Sequence, residues 1–393
     1  MNFNMTRCME AFALMLDLAE NEFYSSAHHH SQRVALIALY IAKALSLSHE
    51  DINDLYCLAL LHDNGITMAG LKNATHELDA VHCIEGEKNI VLFPFFKKRA
   101  SVILMHHENY DGSGFIGIAG NDIPILSQVI HMADLLDTHY DFQADTQQNR
   151  SEMRNFVKQA YNTKVSNDIA NACLQVMEYE QFWTDTSNVH LSEVLQQVVP
   201  PIVYSYSYHD IFPITETMMR IVDSKSRFTY LHSQGITEKI DLMSGWYGIN
   251  SEIRDQLHIA ANLHDLGKLY VPNSILEKPS SLTTDEFLIV QKHTYYTKIA
   301  LERIPNFENI TMWASFHHEK LNGTGYPEKL HDYELSFESR LMTVLDIYQA
   351  LTEDRPYREK GTHGEAMTLL RQMAREGFID SKLVEDVDTV VGH

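Results

Sequence analysis

Long apolar runs are absent from this sequence of 393 residues, and none approaches the roughly 18 residues that a membrane-spanning helix needs. The start, Met1-Asn2-Phe3-Asn4, lacks the basic segment and apolar stretch of a signal peptide. Cysteine is rare: the chain has four, none in CxxC spacing. These absences predict a cytoplasmic protein with reduced thiols, rather than a membrane protein or a disulfide framework.

Basic residues are also scarce, since 31 lysines and arginines stand against 53 aspartates and glutamates, for a net charge of -22. DNA and anionic membrane surfaces are bound by basic patches, so we expect neither as a partner. A small anionic ligand is not excluded, because divalent cations at the base of a cleft reverse the local field.

Histidines and aspartates, by contrast, recur in two sets of nearly matched spacing. In each set a His-Ser-Gln tripeptide precedes a His-Asp pair by 32 residues, and a further histidine precedes a His-His-Glu triplet by 24. A late aspartate closes each set. The sets are His30, His62, Asp63, His82, His106, His107 and Asp134, and then His232, His264, Asp265, His293, His317, His318 and Asp346. The repeat predicts two copies of one unit.

Apolar spacing predicts helices along most of the chain, including residues 31–46 and 252–263, whereas strand-like alternation is scarce. A long helical stretch is predicted over about 151–198, ended by Pro200-Pro201. We place a domain boundary near residue 200 and predict domains over 1–200 and 201–393.

The ligand types indicate metal chemistry. Imidazole and carboxylate suit borderline transition metals, and an adjacent His-Asp pair can serve two ions at once. Seven such residues in the second half exceed the four ligands of a tetrahedral zinc, which predicts a two-metal site. Iron or manganese is expected before zinc, and other divalent ions stay open. Paired metals activate water and clamp the oxygens in a displacement at phosphorus.

The second half resembles the HD-GYP family of bacterial cyclic-dinucleotide phosphodiesterases, within the HD-domain phosphohydrolases. The resemblance covers about residues 215–385. It rests on the following segments: His264-Asp265-Leu266-Gly267-Lys268, residues 317–327 with their Gly-Tyr-Pro end, residues 272–279, residues 346–351, and Arg355-Pro356-Tyr357-Arg358. It implies an all-α fold of two tandem HD-type helical bundles, with a catalytic C-terminal domain.

By the same resemblance, Asp265 bridges two metals while Lys268 neutralises charge on the scissile phosphate. The other substrate contacts are implied at Gly323, Gly325, Tyr326, Arg355 and Arg358. The product is a linear dinucleotide, and the choice between cyclic di-GMP and 3',3'-cyclic GMP-AMP stays open.

Three positions depart from the family pattern. Phe228 stands where some members have a glutamate for a third metal, which favours two metals here. Asn322 and Thr297 replace a usual aspartate and glycine.

The first half keeps every ligand type, so its set is a second candidate metal site. Ile66 nevertheless occupies the position of Lys268, and no Gly-Tyr-Pro or basic turn follows. We therefore expect a degenerate HD domain with a regulatory or packing role.

Two alternatives belong to other classes. A cyclic-dinucleotide sensor or adaptor could use the metals only structurally, although the retained Lys268 and full ligand set argue against it. A nucleotidase of mononucleotides or alarmones is the other, and the Gly-Tyr-Pro loop argues against that. Homodimers and signalling proteins are further candidate partners.

Overall fold

The computed structural model describes residues 1–20, 22, 29–71, 78–142, 144–187, 191–199, 201–225, 230–353 and 360–392. Arg355 and Arg358, the predicted phosphate contacts, and Phe228 lie outside the described residues. Among the residues that are described, no helix combines the length and apolar character needed to cross a bilayer.

The chain forms two compact units. The N-terminal unit is Asn4–Val203, and the C-terminal unit combines Tyr204–His393 with Met1–Phe3. The first three residues belong there because the Phe3 ring stacks on Tyr206 and Phe307, with centroids 6.2 and 6.3 Å away. The amino group of Met1 also donates to the carbonyl oxygen of Tyr206 at 2.7 Å.

Helices make up most of the N-terminal unit. They are α1 (Met5–Glu20), α2 (His30–Ala44), α3 (His49–Leu60), α4 (Ile66–Leu71), α5 (Leu78–Ile90), α6 (Ile125–His139), α7 (Gln147–Gln159), α8 (Asn167–Val176), α9 (Glu180–Thr186) and α10 (Leu191–Val198). Short 3-10 turns occur at Lys97–Arg99 and Gly120–Asp122. In the described part of the chain, the sheet structure is one pair of strands, β1 (Asn2–Asn4) and β2 (Val203–Ser205).

The C-terminal unit is built in the same way. Its helices are α11 (Tyr208–Asp223), α12 (Tyr230–Tyr247), α13 (Ser251–Leu263), α14 (Asn273–Leu276), α15 (Thr284–Leu301), α16 (Glu308–Ser315), α17 (Phe337–Thr352), α18 (His363–Arg375) and α19 (Ser381–Val391). Two 3-10 turns, Leu266–Tyr270 and Asp332–Glu334, lie between them. The prediction of an all-α fold is confirmed.

Local signals explain where several helices begin. Helix α15 starts with a capping box, in which Thr283 accepts from the backbone of Glu286 and the Glu286 carboxylate accepts from that of Thr283. The predicted helices at 31–46 and 252–263 correspond to α2 and α13. The long helical stretch predicted over about 151–198 is divided among α7, α8, α9 and α10. The chain turns after α7, where Asn162 has a φ of 52°, and Ser166 caps a new helix by accepting from Ile169.

Helix packing determines where the two sets of ligands meet. In the N-terminal unit α2 packs against α3 and α6, and in the C-terminal unit α12 packs against α13 and α17. Fully buried apolar side chains lie on these helices, including Ile37, Leu58 and Ile130 in one unit and Ile240, Leu257 and Leu345 in the other. Four of the seven predicted ligands in each unit lie on these helices or directly after them, and the other three come from neighbouring segments.

Candidate metal centre

Five segments of the C-terminal unit bring the second set of residues together. His232 lies in the first turn of α12, His264-Asp265 directly follows α13, His293 is in α15, His317-His318 follows α16, and Asp346 is in α17. All are buried except His318, whose side chain is 31% exposed. The seven predicted ligands therefore line one interior site that is open at His318.

Asp265 lies between two groups of these side chains. Its Oδ2 is 3.1 Å from Nε2 of His264, and its Oδ1 is 3.5 Å from Nε2 of His293. In each group the ligand atoms lie within 4.8 Å of one another, as metal ligands must; the groups are His232, His264 and Asp346, and then His293, His317 and His318. One carboxylate thus offers an oxygen to each group.

The tautomers of three histidines follow from their backbone contacts. Nδ1 of His264, His293 and His317 lies 2.7, 2.6 and 2.6 Å from the carbonyl oxygen three residues earlier. A carbonyl can only accept, so each Nδ1 carries the proton and each Nε2 presents a lone pair. The Nε2 atoms of His293 and His317 face each other at 3.3 Å. Two facing lone pairs suit a shared cation, so the donor set fits a divalent metal.

His232 is held differently, by a carboxylate that sequence reasoning did not identify. Its Nδ1 donates to Glu353, with both oxygens at 3.0 Å, while its Nε2 lies 3.0 Å from Oδ1 of Asp346. A carboxylate–histidine–metal relay of this kind fixes the ring and raises its basicity. The available signal was the spacing of seven residues from Asp346 to Glu353, which places both on one face near the end of α17.

The electrostatics favour ionised carboxylates and divide the histidines into two kinds. Burial opposes the charged form of His232 and His264, but the neighbouring carboxylates outweigh it, raising the pKa of His264 and raising that of His232 to about 9. Burial lowers the pKa of His293 to about 3 and holds that of His317 well below its usual value. Burial alone would raise the pKa of Asp265, but the positive charges of His264 and Lys268 outweigh it and hold this pKa well below the usual range. Neutral histidine and ionised aspartate are the forms that bind a metal.

Lys268, the predicted phosphate contact, reaches the same carboxylate. Its Nζ donates to Oδ2 of Asp265 at 2.5 Å from the 3-10 turn that follows α13. That turn lies against α15, because a side chain at Gly267 would come within 1.9 Å of the carbonyl oxygen of His293. Thr297, which replaces the family glycine, accepts from Gly267 at 2.9 Å and donates to the His264 carbonyl at 3.1 Å.

The predicted nucleotide loop is held by Glu319. Its carboxylate accepts hydrogen bonds from the backbone N–H groups of residues 328, 329 and 330 at 2.6, 3.0 and 3.0 Å, so it orders the loop. Gly325 allows the close approach, because an added Cβ would lie 2.5 Å from Cα of Glu319. Tyr326 lies over His318, with ring centroids 5.0 Å apart, and Gly323 has a φ of 73° under the His331 ring.

The N-terminal unit brings its own set together with similar geometry. Asp63 places Oδ2 3.3 Å from Nε2 of His62 and Oδ1 3.2 Å from Nε2 of His82. One group contains His30, His62 and Asp134, and the other contains His82, His106 and His107 with the additional thiol of Cys83. Asp137, three residues after Asp134, accepts from Nδ1 of His30 at 2.7 Å. Both units thus have a donor set that could hold a divalent metal.

Comparisons with known proteins agree with this architecture. The model of the HD domain family matches residues 14–161 and 216–383. A 3'3'-cGAMP-specific phosphodiesterase of Vibrio cholerae is 27% identical over 370 residues, which cover 91% of this chain and 86% of that protein. A cyclic di-GMP phosphodiesterase of Pseudomonas aeruginosa is 30% identical over 171 residues, covering 43% of this chain and 41% of that protein.

A solved structure shares the fold of the whole chain. A cyclic GMP-AMP-specific phosphodiesterase of V. cholerae superposes with a TM-score of 0.70 at 23% identity, covering 100% of this chain and 98% of that one. At that identity the likeness concerns the fold alone. The two family matches, one in each compact unit, confirm the predicted resemblance. The chain belongs to the HD-domain family and carries the domain twice.

Proposed function

We propose that the C-terminal unit is a metal-dependent phosphodiesterase that hydrolyses a 3',5'-linked cyclic dinucleotide to the linear dinucleotide. The observation that carries this proposal is the position of Asp265 between two groups of ligands, with the Lys268 ammonium at the same carboxylate. Two ligand groups support a pair of divalent transition metals, and the mixed imidazole and carboxylate donors favour iron or manganese.

The bound metals would supply Lewis acidity at the phosphate oxygens and activate the attacking water. Water forms a new bond to phosphorus, one ribose ester oxygen leaves, and that oxygen takes up a proton. Asp265 contributes one oxygen to each group of ligands and so keeps the two groups next to each other. Lys268 provides positive charge beside the scissile phosphate. Glu319 keeps the loop closed, so that Tyr326 stays against His318 at the open side of the site.

For the substrate we propose 3',3'-cyclic GMP-AMP. The Vibrio relatives named for this nucleotide include two whose matches cover 91% and 77% of the chain and therefore extend into both units. The cyclic di-GMP phosphodiesterases of V. cholerae and P. aeruginosa match only 35% and 43% of it. Cyclic di-GMP remains the competing substrate in the test.

We propose that the N-terminal unit has no turnover of its own and acts as a regulatory or packing partner. Ile66 is buried where Lys268 supplies an ammonium in the other unit, so this position brings no positive charge to neutralise a phosphate. We also propose a cytoplasmic location for the protein. The four cysteines are free and buried, as expected in a reducing compartment.

The test is a turnover assay on the full chain, purified without oxygen and loaded with Fe(II) or Mn(II). Products from 3',3'-cyclic GMP-AMP and cyclic di-GMP are separated by chromatography. Asp265→Ala and Asp63→Ala form a matched pair, because the two residues hold equivalent places in their units. Linear product that is lost in Asp265→Ala and retained in Asp63→Ala supports the proposal. Absence of product from either nucleotide, with metals bound at the C-terminal cluster, would favour the sensor.

A further inference from the structure

One buried carboxylate in the N-terminal unit belongs to neither repeat set. Glu20, the last residue of α1, is 3% exposed, and its Oε1 lies 3.9 Å from Nε2 of His30. Its Oε2 is buried without a hydrogen-bond partner in the described part of the chain. A buried carboxylate oxygen without a hydrogen bond is costly, so its position beside the histidines requires an explanation.

The same helix shows how this unit accommodates an ordinary buried glutamate. Glu10 is 6% exposed, and its two oxygens accept from the hydroxyl of Tyr56 at 2.7 Å and from Arg7 Nη1 at 2.6 Å. Glu20 differs because its carboxylate faces the Nε2 side of His30, while Nδ1 of that ring is already bonded to Asp137. A cation bound at Nε2 of His30 would give this carboxylate the partner that its Oε2 lacks.

The charge around the two central aspartates also differs between the units. In the C-terminal unit an ammonium, that of Lys268, lies beside Asp265. In the N-terminal unit the equivalent residue is the apolar Ile66, so this position brings no positive charge. Both units have a buried carboxyl group at the end of the preceding helix, Glu20 in α1 and Asp223 in α11, so the difference lies in the ammonium. A group of carboxylates without a neighbouring ammonium strengthens cation binding and repels a phosphodiester. The access side is tighter as well, because the side chain of His107 is 19% exposed whereas that of His318 is 31% exposed.

We propose that the N-terminal unit holds a divalent metal in a closed centre, with Glu20 as a ligand beside His30, His62 and Asp134. Structural metal sites are fully occupied by protein ligands, whereas catalytic ones keep a position for water or substrate. Glu20 takes that position here. The metal then joins α1, α2, α6 and the turn after α3, and it stabilises this unit without supporting hydrolysis.

The test uses Mn²⁺ and the full chain carrying Asp265→Asn, which weakens the C-terminal cluster so that retained metal reports on the N-terminal one. Glu20→Gln is compared with Glu10→Gln, an identical change on the same helix. We measure bound manganese by elemental analysis across a titration, and the unfolding temperature with Mn²⁺ and with chelator.

Glu20→Gln should bind Mn²⁺ at least about tenfold more weakly and lose most of the rise in unfolding temperature that Mn²⁺ produces. With chelator it should unfold at or above the parent temperature, because an unpartnered buried carboxylate has been removed. Glu10→Gln should keep parental Mn²⁺ affinity and unfold at a lower temperature. Equal Mn²⁺ affinity in the two variants would overturn the proposal.

Crystals of the unmutated chain soaked in Mn²⁺ provide a check that does not depend on any variant folding. An anomalous peak in bonding contact with Glu20 supports the centre, and an N-terminal cluster without a peak beside Glu20 refutes it. Neither measurement involves turnover, so failure of this proposal and failure of the proposed reaction are distinguishable.

Discussion

Lys268 donates to Asp265 at 2.5 Å, and the N-terminal unit has Ile66 at the equivalent position. Replacing Lys268 with methionine removes positive charge near the scissile phosphate while keeping the apolar stem. We expect kcat to fall by about 10²–10³-fold, as when one preorganised electrostatic group is deleted. Steady-state formation of linear dinucleotide measures this loss.

The control for that variant is Lys88→Met, because the Lys88 side chain is 63% exposed in the N-terminal unit, pairs with Glu85 at 3.1 Å, and should leave turnover unchanged. Full activity in Lys268→Met would mean that Asp265 and the metals suffice without the ammonium.

Glu353→Gln tests the carboxylate that holds His232. The amide keeps the shape but removes the charge that fixes the Nδ1–H tautomer. We expect metal affinity at the C-terminal cluster to weaken by about 10- to 100-fold with little change in unfolding temperature of the metal-free chain. Metal titration of the variant gives the result, and Glu338→Gln at the other end of α17 is the control. Parental affinity in both variants would assign Glu353 no part in the centre.

Gly325→Ala tests the approach of the loop to Glu319. The new methyl would lie 2.4 Å from the backbone nitrogen of Lys320, so the loop must move, at a cost of about 1–3 kcal/mol. We expect a lower unfolding temperature together with reduced turnover, since Tyr326 follows directly. Gly364→Ala has no atom within 4 Å of the new methyl and should change neither property. Similar behaviour of the two variants would contradict the close approach.

Asp223 predicts a dependence of stability on pH in the metal-free chain. Burial, and next the negative charge of Asp265, raise its pKa from 3.8 to about 7. A carboxyl with a raised folded-state pKa stays protonated in the folded state while the unfolded chain ionises. The folded state therefore loses stability as pH rises from about 4 to about 7.

The Asp223→Asn variant has no carboxyl group at this position, so it does not undergo this loss of stability. Its stability relative to the unmutated chain, measured by denaturant unfolding in chelator, should therefore increase across that pH interval and level off above it. Asp241→Asn, which changes an aspartate that is 55% exposed, is the control and should show no such trend. A constant difference between Asp223→Asn and the unmutated chain at all pH values would contradict the raised pKa.

The sequence by itself carried the chemistry of the site. The residue types, their repeated spacing and the helical period can all be read from the sequence. They indicated seven residues in each half, which the folded units then bring together. The ends of the helices were harder to predict from the sequence. The long helical stretch predicted over about 151–198 contains four helices, because a capping serine such as Ser166 outweighs continuous helix-forming composition.

The partners of the ligands depended on tertiary structure. The carboxylate that orients the first histidine is Asp137 in one unit and Glu353 in the other, three and seven residues after the late aspartate, so no single spacing predicts it. Glu20 lies outside the set of seven, and its counterpart at the end of α11 is Asp223, nine rather than ten residues before the first histidine. Its contact with His30 arises only from the packing of α1 against α2, and similarly the Lys268–Asp265 contact depends on how the turn after α13 folds. Sequence specified which side chains could bind metal, whereas helix packing decided which charges surround them.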